Sequence, residues 1–458
     1  MTSETFTLSF EDQSQRQSHA LPRVDGGRAA IMNLVGCSIL QLSSWGFVMS
    51  YGVLQEQYTT HFNMQGSSKL TGAIGTTLNG VLYMSLPIIS TLLAGRLYQW
   101  RRMAAILGLL ISSASLVISA SSTAAWHLLV TQGILCGLGS ALLYSPSTLQ
   151  LNEWWVRRKS FAYGVTLAAK NIVGTGTPYL NLALLGRLGL QNTLRVWGVI
   201  TFVSGILALP LMHQRGEWPT NQQYHHYRRR TPWKFLTHPT FYVFHIGNII
   251  FSSGYGLPQT YLPSYASQIL HRSQMEGSLM LALFNLPGIF SCVAFGILGD
   301  GTPLIGAYKP TPFTTTFLSA IGAALPVFFI WGLAAQSGLV GLALFSVTYG
   351  FFASAYSATW GGALREIERE AVSHNEPIDT GVVYGLLNGG RGLGYVLGGV
   401  AGIELLKTGA VRKSSLAYGT EYGSVILYTG ISSAIGGLSV FWNLAGRRYC
   451  ISERTRPA

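Results

Sequence analysis

Charge is what this chain has least of. Only 10% of its 458 residues are Asp, Glu, Lys or Arg, against about 25% in soluble proteins. That excludes a string of ordinary water-facing domains. Carboxylates are absent from the middle of every apolar stretch. Glu56, Glu153, Asp300 and Glu404 all fall near stretch ends or in loops, which argues against a proton relay through a buried acid. Enzyme signatures are missing as well: there is no His-Glu-x-x-His, Gly-x-Ser-x-Gly, phosphate-cradling loop or dinucleotide fingerprint. Gly390-Arg-Gly-Leu-Gly394 is glycine-rich but sits inside an apolar stretch, not at a strand–helix turn. We expect no enzyme, cofactor or metal. The four cysteines, Cys37, Cys136, Cys292 and Cys450, have no paired spacing and read as structural thiols. Residues 1–28 lack a cleavable-signal pattern and read as a polar, disordered cytoplasmic tail.

What is present is long apolar sequence. Hydrophobic residues make up 48% of the chain, and mean hydropathy is +0.33. Twelve stretches approach the roughly 20 apolar residues a membrane helix needs. They lie near 30–54, 71–94, 103–121, 126–149, 161–186, 195–212, 241–267, 277–298, 313–334, 337–359, 381–405 and 423–445. Backbone polar groups must be satisfied inside lipid, so these are helices. The alternation of a membrane barrel is absent. The pattern predicts an all-α polytopic membrane protein with two six-helix bundles, 29–212 and 241–446. A cytoplasmic linker, 213–240, joins them, and a short tail, 447–458, follows. The formal net charge of +13 does not imply a nucleic-acid partner. With the amino terminus inside, 21 Lys and Arg fall on the cytoplasmic side and seven on the other. This positive-inside bias places both termini in the cytoplasm. The linker run Gln222-Gln-Tyr-His-His-Tyr-Arg-Arg-Arg-Thr231 reads as a solvated loop.

Two cations break the rule that span centres are uncharged: Lys170 and Arg391. Insertion scales put the cost of such a residue at about 2.5–3.5 kcal/mol. Each follows a glycine by six positions, Gly164 and Gly385, and precedes another by four or three, Gly174 and Gly394. Tyr51-Gly-Val-Leu-Gln55 in the first span recurs as Tyr255-Gly-Leu-Pro-Gln259 in the seventh. Matched positions in spans one and seven, and in five and eleven, indicate a duplicated 6+6 chain. Gly390, Gly394, Gly398 and Gly402 form a side-chain-free ridge on span eleven. We expect it to support close packing, and as a further hypothesis sliding between the halves.

Several segments resemble the major facilitator superfamily, and within it the fungal branch of the monocarboxylate porter family. Asp25-Gly26-Gly27 is similar to that family's entry motif. Trp154-Trp-Val-Arg-Arg-Lys-Ser-Phe-Ala-Tyr-Gly164 is similar to its basic-triplet signature, and Gln132-Gly-Ile-Leu-Cys-Gly-Leu-Gly139 with Ser145-Pro146 to its fourth span. Gly254-Tyr-Gly-Leu-Pro-Gln-Thr-Tyr-Leu-Pro-Ser-Tyr-Ala266 is similar to the fungal pattern of the seventh. The resemblance implies alternating access by a monomeric carrier in the plasma membrane, with spans one, four, seven and ten lining the cavity. Departures are equally informative. Gly95-Arg-Leu-Tyr-Gln99 lacks the aspartate of the usual gating loop but keeps Arg101 and Arg102. Gly296-Ile-Leu-Gly-Asp300 keeps the aspartate and lacks the basics. Where the fungal pattern has Gly-Arg in span eight, this chain has Ser291-Cys292. Lys170 and Arg391 are the candidates to take over anion binding; the competing reading is that each bonds only buried polar groups. Further substrate-binding candidates are Tyr51, Gln55, Tyr144, Tyr255, Gln259 and Asn388. Gating or coupling candidates are His245, Asp300, Arg101, Arg102, Arg157 and Arg158. The expected cargo is a small organic anion, most simply a carboxylate, with proton coupling left open. The alternatives are efflux of a secondary metabolite or neutral compound, and a non-transporting sensor on the same fold.

Overall fold

A computed structural model describes residues 23–61, 67–215, 232–301, 309–333, 338–411 and 416–442. Residues 1–22 of the tail, the linker segment 216–231, the tail from 443 with Cys450, and the side chain of Glu56 lie outside the described residues. Among the described residues the regular structure is helical, with no strand. Twelve long helices follow in order among the described residues. The first half holds α1 Arg28–His61, α2 Ser67–Ala94, α3 Arg101–Ser119, α4 Ala125–Trp154, α5 159–188 and α6 190–208. The second holds α7 Pro239–Gln268, α8 Gln274–Gly299, α9 Pro312–Trp331, α10 Gly338–Ser373, α11 Thr380–Thr408 and α12 Gly423–Trp442. Nine described runs are long and apolar enough to cross a membrane, and one of them, Lys159–Leu211, contains both α5 and α6. Helices α7 and α11 fall outside those nine. Asn, Ser, Tyr, Gln and Gly replace aliphatic residues along them.

Local sequence explains where the helices depart from the expected spans. The connection expected at 187–194 is a single residue: Gly189 adopts φ 72 and ψ 174, a conformation open to glycine. Helix α10 continues past the expected end at 359 because its last turns are amphipathic. Trp360, Leu364, Ile367 and Ala371 are buried on one face, while the charged residues of that stretch sit on the other. The motif around Asp25 is a cap. The Asp25 carboxylate accepts the backbone N–H groups of Val156, Arg157 and Arg158 at 2.9 Å, tying the start of the first half to the α4–α5 turn.

Each half has its own aromatic core. One is built on Trp45, Phe47, Tyr51, Tyr83 and Trp197, the other on Phe251, Tyr255, Phe284, Trp331 and Tyr349. The halves meet along two seams, α5 against α8 and α2 against α11. The ridge on α11 does not lie on a seam. A Cβ on Gly394 would stand 2.5 Å from the Ile249 carbonyl, and one on Gly398 would meet the Ser253 carbonyl. The ridge therefore packs α11 onto α7 within its own half. The sliding hypothesis for it is withdrawn, and the packing reading holds.

Candidate functional site

Lys170 and Arg391 converge. Lys170 comes from the middle of α5 and Arg391 from the middle of α11, and they are 7% and 6% exposed. Both lie within 6 Å of one ring, Tyr83 of α2: the Lys170 Nζ at 5.7 Å and the Arg391 Cζ at 5.8 Å from its centroid. Lys170 Nζ stands 3.6 Å above the Trp45 ring and donates to the Tyr83 hydroxyl at 3.0 Å. Arg391 lies 4.6 Å from the Tyr255 ring centre, 5.5 Å from Tyr395 and 5.8 Å from Trp360. It donates to the Ser357 hydroxyl and, at 3.5 Å, to that of Tyr395. Its Nε is buried without a hydrogen-bond partner.

No carboxylate forms an ion pair with either cation among the described residues. A cation–π contact offsets about 2 kcal/mol at best when desolvated, less than the several kcal/mol that burying an ion costs. Two positive groups in one aromatic enclosure also repel each other. The arrangement is therefore one that a negatively charged group would relieve, and flat rings on its walls suit a flat body.

The sequence-derived candidates separate into those at this cluster and those away from it. Tyr255 packs under Arg391, and Tyr144 meets Trp45 edge-on at 5.7 Å. Tyr144 also borders a small gap with Cys37, Gln41, Ser147, Thr148 and Thr166. Tyr51 belongs to the first-half core, against Phe47 and Gly75. Asn388 donates to the Tyr384 carbonyl of its own helix at 2.9 Å. Gln55 and Gln259 are half-buried, each one turn beyond its tyrosine. His245 stacks on Phe241 at 5.0 Å and lies against Gly390, the neighbour of Arg391; its Nδ1 has no partner. Asn388 thus turns to its own helix and Tyr51 to the first-half core.

Trp45, Tyr83, Tyr395, Ser357 and Trp360 were not picked out from sequence. Tyr395 follows Arg391 by four residues, the spacing that stacks side chains on a helix, and could have been found that way. Trp45, Tyr83, Ser357 and Trp360 come from other helices and carry no local signal.

The face holding the start of α5 and the end of α8, called here the basic face, is closed by polar bonds from α5 to the end of α8, to α10 and to α11. The Asp300 carboxylate accepts the Ser160 and Phe161 N–H groups, each at 2.9 Å, and lies 3.4 Å from Arg365. Burial raises the Asp300 pKa, against the lowering pull of those N–H groups and Arg365. Lys159 reaches Glu368 at 3.0 Å and the Thr380 hydroxyl at 3.1 Å. Arg101 pairs with Glu153 inside the first half, whereas Arg102, Arg157 and Arg158 are exposed. The charges expected to gate are thus unequal: Asp300 bonds across the seam, and Arg101 braces one half. Cys292, where the fungal pattern has arginine, is buried on this seam and accepts from Asn171, the residue after Lys170, at 3.3 Å.

Comparison with known proteins agrees with this architecture. The family model described as Major Facilitator Superfamily matches residues 34–399. The "Fujikurins efflux protein" of Gibberella fujikuroi is 23% identical, over 74% of this chain and 69% of its own. "Monocarboxylate transporter 12-B" of Danio rerio is 25% identical, over 76% of each. Among solved structures, the nucleoside transporter NupG (D323A mutant) superposes with a TM-score of 0.60 at 12% identity, covering 90% of this chain and 99% of that one.

Proposed function

The chain belongs to the major facilitator superfamily, and from that premise we propose that it exports an organic anion, an acidic secondary metabolite with a flat body, by alternating access. It is a multi-pass membrane transporter and not an enzyme. One observation carries the anion: two buried cations from opposite halves share a cage of aromatic rings and have no carboxylate partner among the described residues. Lys170 precedes Asn171, whose side-chain amide donates to Cys292, and this closeness supports its standing in for the arginine of the family resemblance. A fungal relative bearing the name of an efflux protein supports export. The basic face is read as cytoplasmic from the positive-inside bias, and the plasma membrane is the family's usual setting.

Counterflow in proteoliposomes tests this, with labelled aromatic and aliphatic acids and their neutral amides, in wild type and Arg391→Gln. Acids should exchange selectively. The variant should lose roughly ten- to a hundredfold, the worth of a charge-assisted hydrogen bond at about 1.5–3 kcal/mol. Arg391→Lys should keep part of the exchange. A second reading, export of a neutral aromatic product, draws on the rings that already surround both cations. Exchange of amides and acids alike, unchanged in Arg391→Gln, would establish it and sink the anion.

A further inference from the structure

Seven residues before each buried cation stands a tyrosine followed by a glycine: Tyr163-Gly164 before Lys170, and Tyr384-Gly385 before Arg391. At 1.5 Å of rise per residue, each tyrosine lies roughly 10 Å nearer the basic face than its cation. The two rings meet. Their centroids are 4.0 Å apart with planes 10° from parallel, and both residues are 1% exposed. One ring comes from α5 and the other from α11, so the stack crosses from one half to the other. The repeated sequence places matching residues of the two halves face to face.

The surroundings hold this pair as a plug. Trp360 of α10 meets Tyr384 edge-on at 5.8 Å. Asn152 of α4 donates to the Tyr163 hydroxyl. The adjoining glycines bring both seams close on either side: Gly164 meets the Cys292 carbonyl, and Gly385 lies against Ser90. Beyond the cations the arrangement is mirrored. Tyr395, one turn past Arg391, stacks on Tyr83 of the other half at 5.6 Å and 11°. That outer pair is bonded to the cations, since Tyr83 accepts from Lys170 and Tyr395 from Arg391. The hydroxyls of the inner pair bond to Asn152 and Tyr144 rather than to a cation. An anion that takes the cation N–H groups would therefore loosen the outer pair directly. The inner pair would part only when the halves rotate.

We infer that the Tyr163–Tyr384 stack is the inner door of the central site, a two-ring barrier that must separate before cargo reaches the basic face. What passes the door rests on the anion reading; the door itself rests on the ring geometry. The test is accessibility, which needs no cargo. In a chain with Cys37, Cys136, Cys292 and Cys450 replaced, Thr166→Cys puts one thiol about a turn above Tyr163, towards Lys170. Its labelling by a membrane-impermeant methanethiosulfonate reaching only the basic face is timed in lipid vesicles. With Tyr163→Ala and Tyr384→Ala together, labelling should quicken roughly tenfold or more, because a buried thiol gains access to the reagent. With Tyr163→Phe and Tyr384→Phe it should stay slow. Equal rates in the alanine pair and the parent would overturn the door. Should the alanine pair not fold, Tyr163→Cys with Tyr384→Cys gives a second route. Bridging the two thiols with a short bis-methanethiosulfonate, which loses two sulfinates and leaves two reducible disulfides, should stop counterflow until a reductant is added, and undiminished counterflow in the bridged protein would also overturn the door. Failure of the anion reading alone would leave the labelling difference intact.

Discussion

The two seams between the halves occupy equivalent places in a duplicated chain but are built differently. Along α5–α8, Gly164 and Gly296 meet backbone, a Cβ on Gly296 standing 2.5 Å from the Ser160 carbonyl, while Gly174 and Gly288 face the side chains of Asn285 and Asn171. Along α2–α11, the close neighbours of Gly385, Gly389 and Gly399 are the side chains of Ser90, Pro87 and Thr76. The basic ends diverge further. On α5–α8, Asp300 of the second half caps the first turn of α5 in the first half. On the other seam Gln99 stands where the motif would have aspartate, and α11 is capped by its own Asp379, which accepts from Gly381 at 2.9 Å. The comparison teaches that duplication preserved the packing and only one cross-half cap. Closure of the basic face is concentrated on the start of α5, which bonds to Asp300 after α8, to Glu368 of α10 and to Thr380 of α11.

The comparison breaks most readily at the backbone contact. Gly296→Ala should cost about 1–3 kcal/mol as an overpacked core substitution, because a carbonyl cannot swing aside as a side chain can. Gly399→Ala on the other seam meets Thr76 only at 3.4 Å and should be nearly neutral. Thermal unfolding of the two purified variants in the same detergent gives the answer. Equal losses would mean that the seams are mechanically alike.

The fold was legible because lipid imposes a single period on the sequence. Apolar runs, glycine breaks and the duplicated Tyr-Gly segments located the helices, although α1 runs to His61 rather than 54 and α10 to Ser373 rather than 359. The ends of α10 and α5 were less legible. Amphipathic turns such as Trp360–Ser373 look like loop to a hydropathy count, and the single-residue break at Gly189 resembles a longer connection. Within the site, Lys170 and Arg391 announced themselves by their cost in lipid. Trp45 and Tyr83 did not, because an aromatic residue in an apolar helix has the same sequence signature whether it faces a cation or a neighbouring leucine. The ridge of Gly390, Gly394, Gly398 and Gly402 showed that a face exists, but a sequence does not say which helix the face meets.

Asp300 tests the seam at the next level. Asp300→Ala removes the cap on α5 and the partner of Arg365; a lost cap costs about 0.5–2 kcal/mol. The basic face should open more often, read as faster labelling of the Thr166→Cys probe. Acidity supplies a second reading of the same residue. Burial raises the carboxyl above its ordinary pKa, so the closed form holds the proton more tightly than a form in which Asp300 is solvated. Closure is therefore favoured below the ordinary value of about 3.9, and that preference is lost as pH rises through the raised one. Labelling of the Thr166→Cys probe, divided at each pH by that of a solvent-exposed cysteine to remove thiol ionisation, should accelerate with pH across that interval, and Asp300→Ala should flatten the dependence. A flat wild-type profile would mean that Asp300 keeps its environment when the face opens.

The smallest expected effect separates bonds across the seam from bonds within a half. Lys159 ties α5 to Glu368 of α10 and Thr380 of α11. Its own side chain is buried, but that of Glu368 is 35% exposed. Such a half-screened pair contributes about 0–1 kcal/mol. Lys159→Met should therefore barely move the unfolding temperature, yet it should speed Thr166→Cys labelling, because every bond it removes crosses between halves. Arg101→Met is the matched control. It breaks a bond to Glu153 that stays within the first half, so it should lower stability without changing access. Combining Lys159→Met with Asp300→Ala then asks whether the two contacts act as one latch. Labelling effects that multiply would mean independent fastenings, whereas a double variant no faster than Asp300→Ala alone would mean that the lysine holds only while the aspartate does.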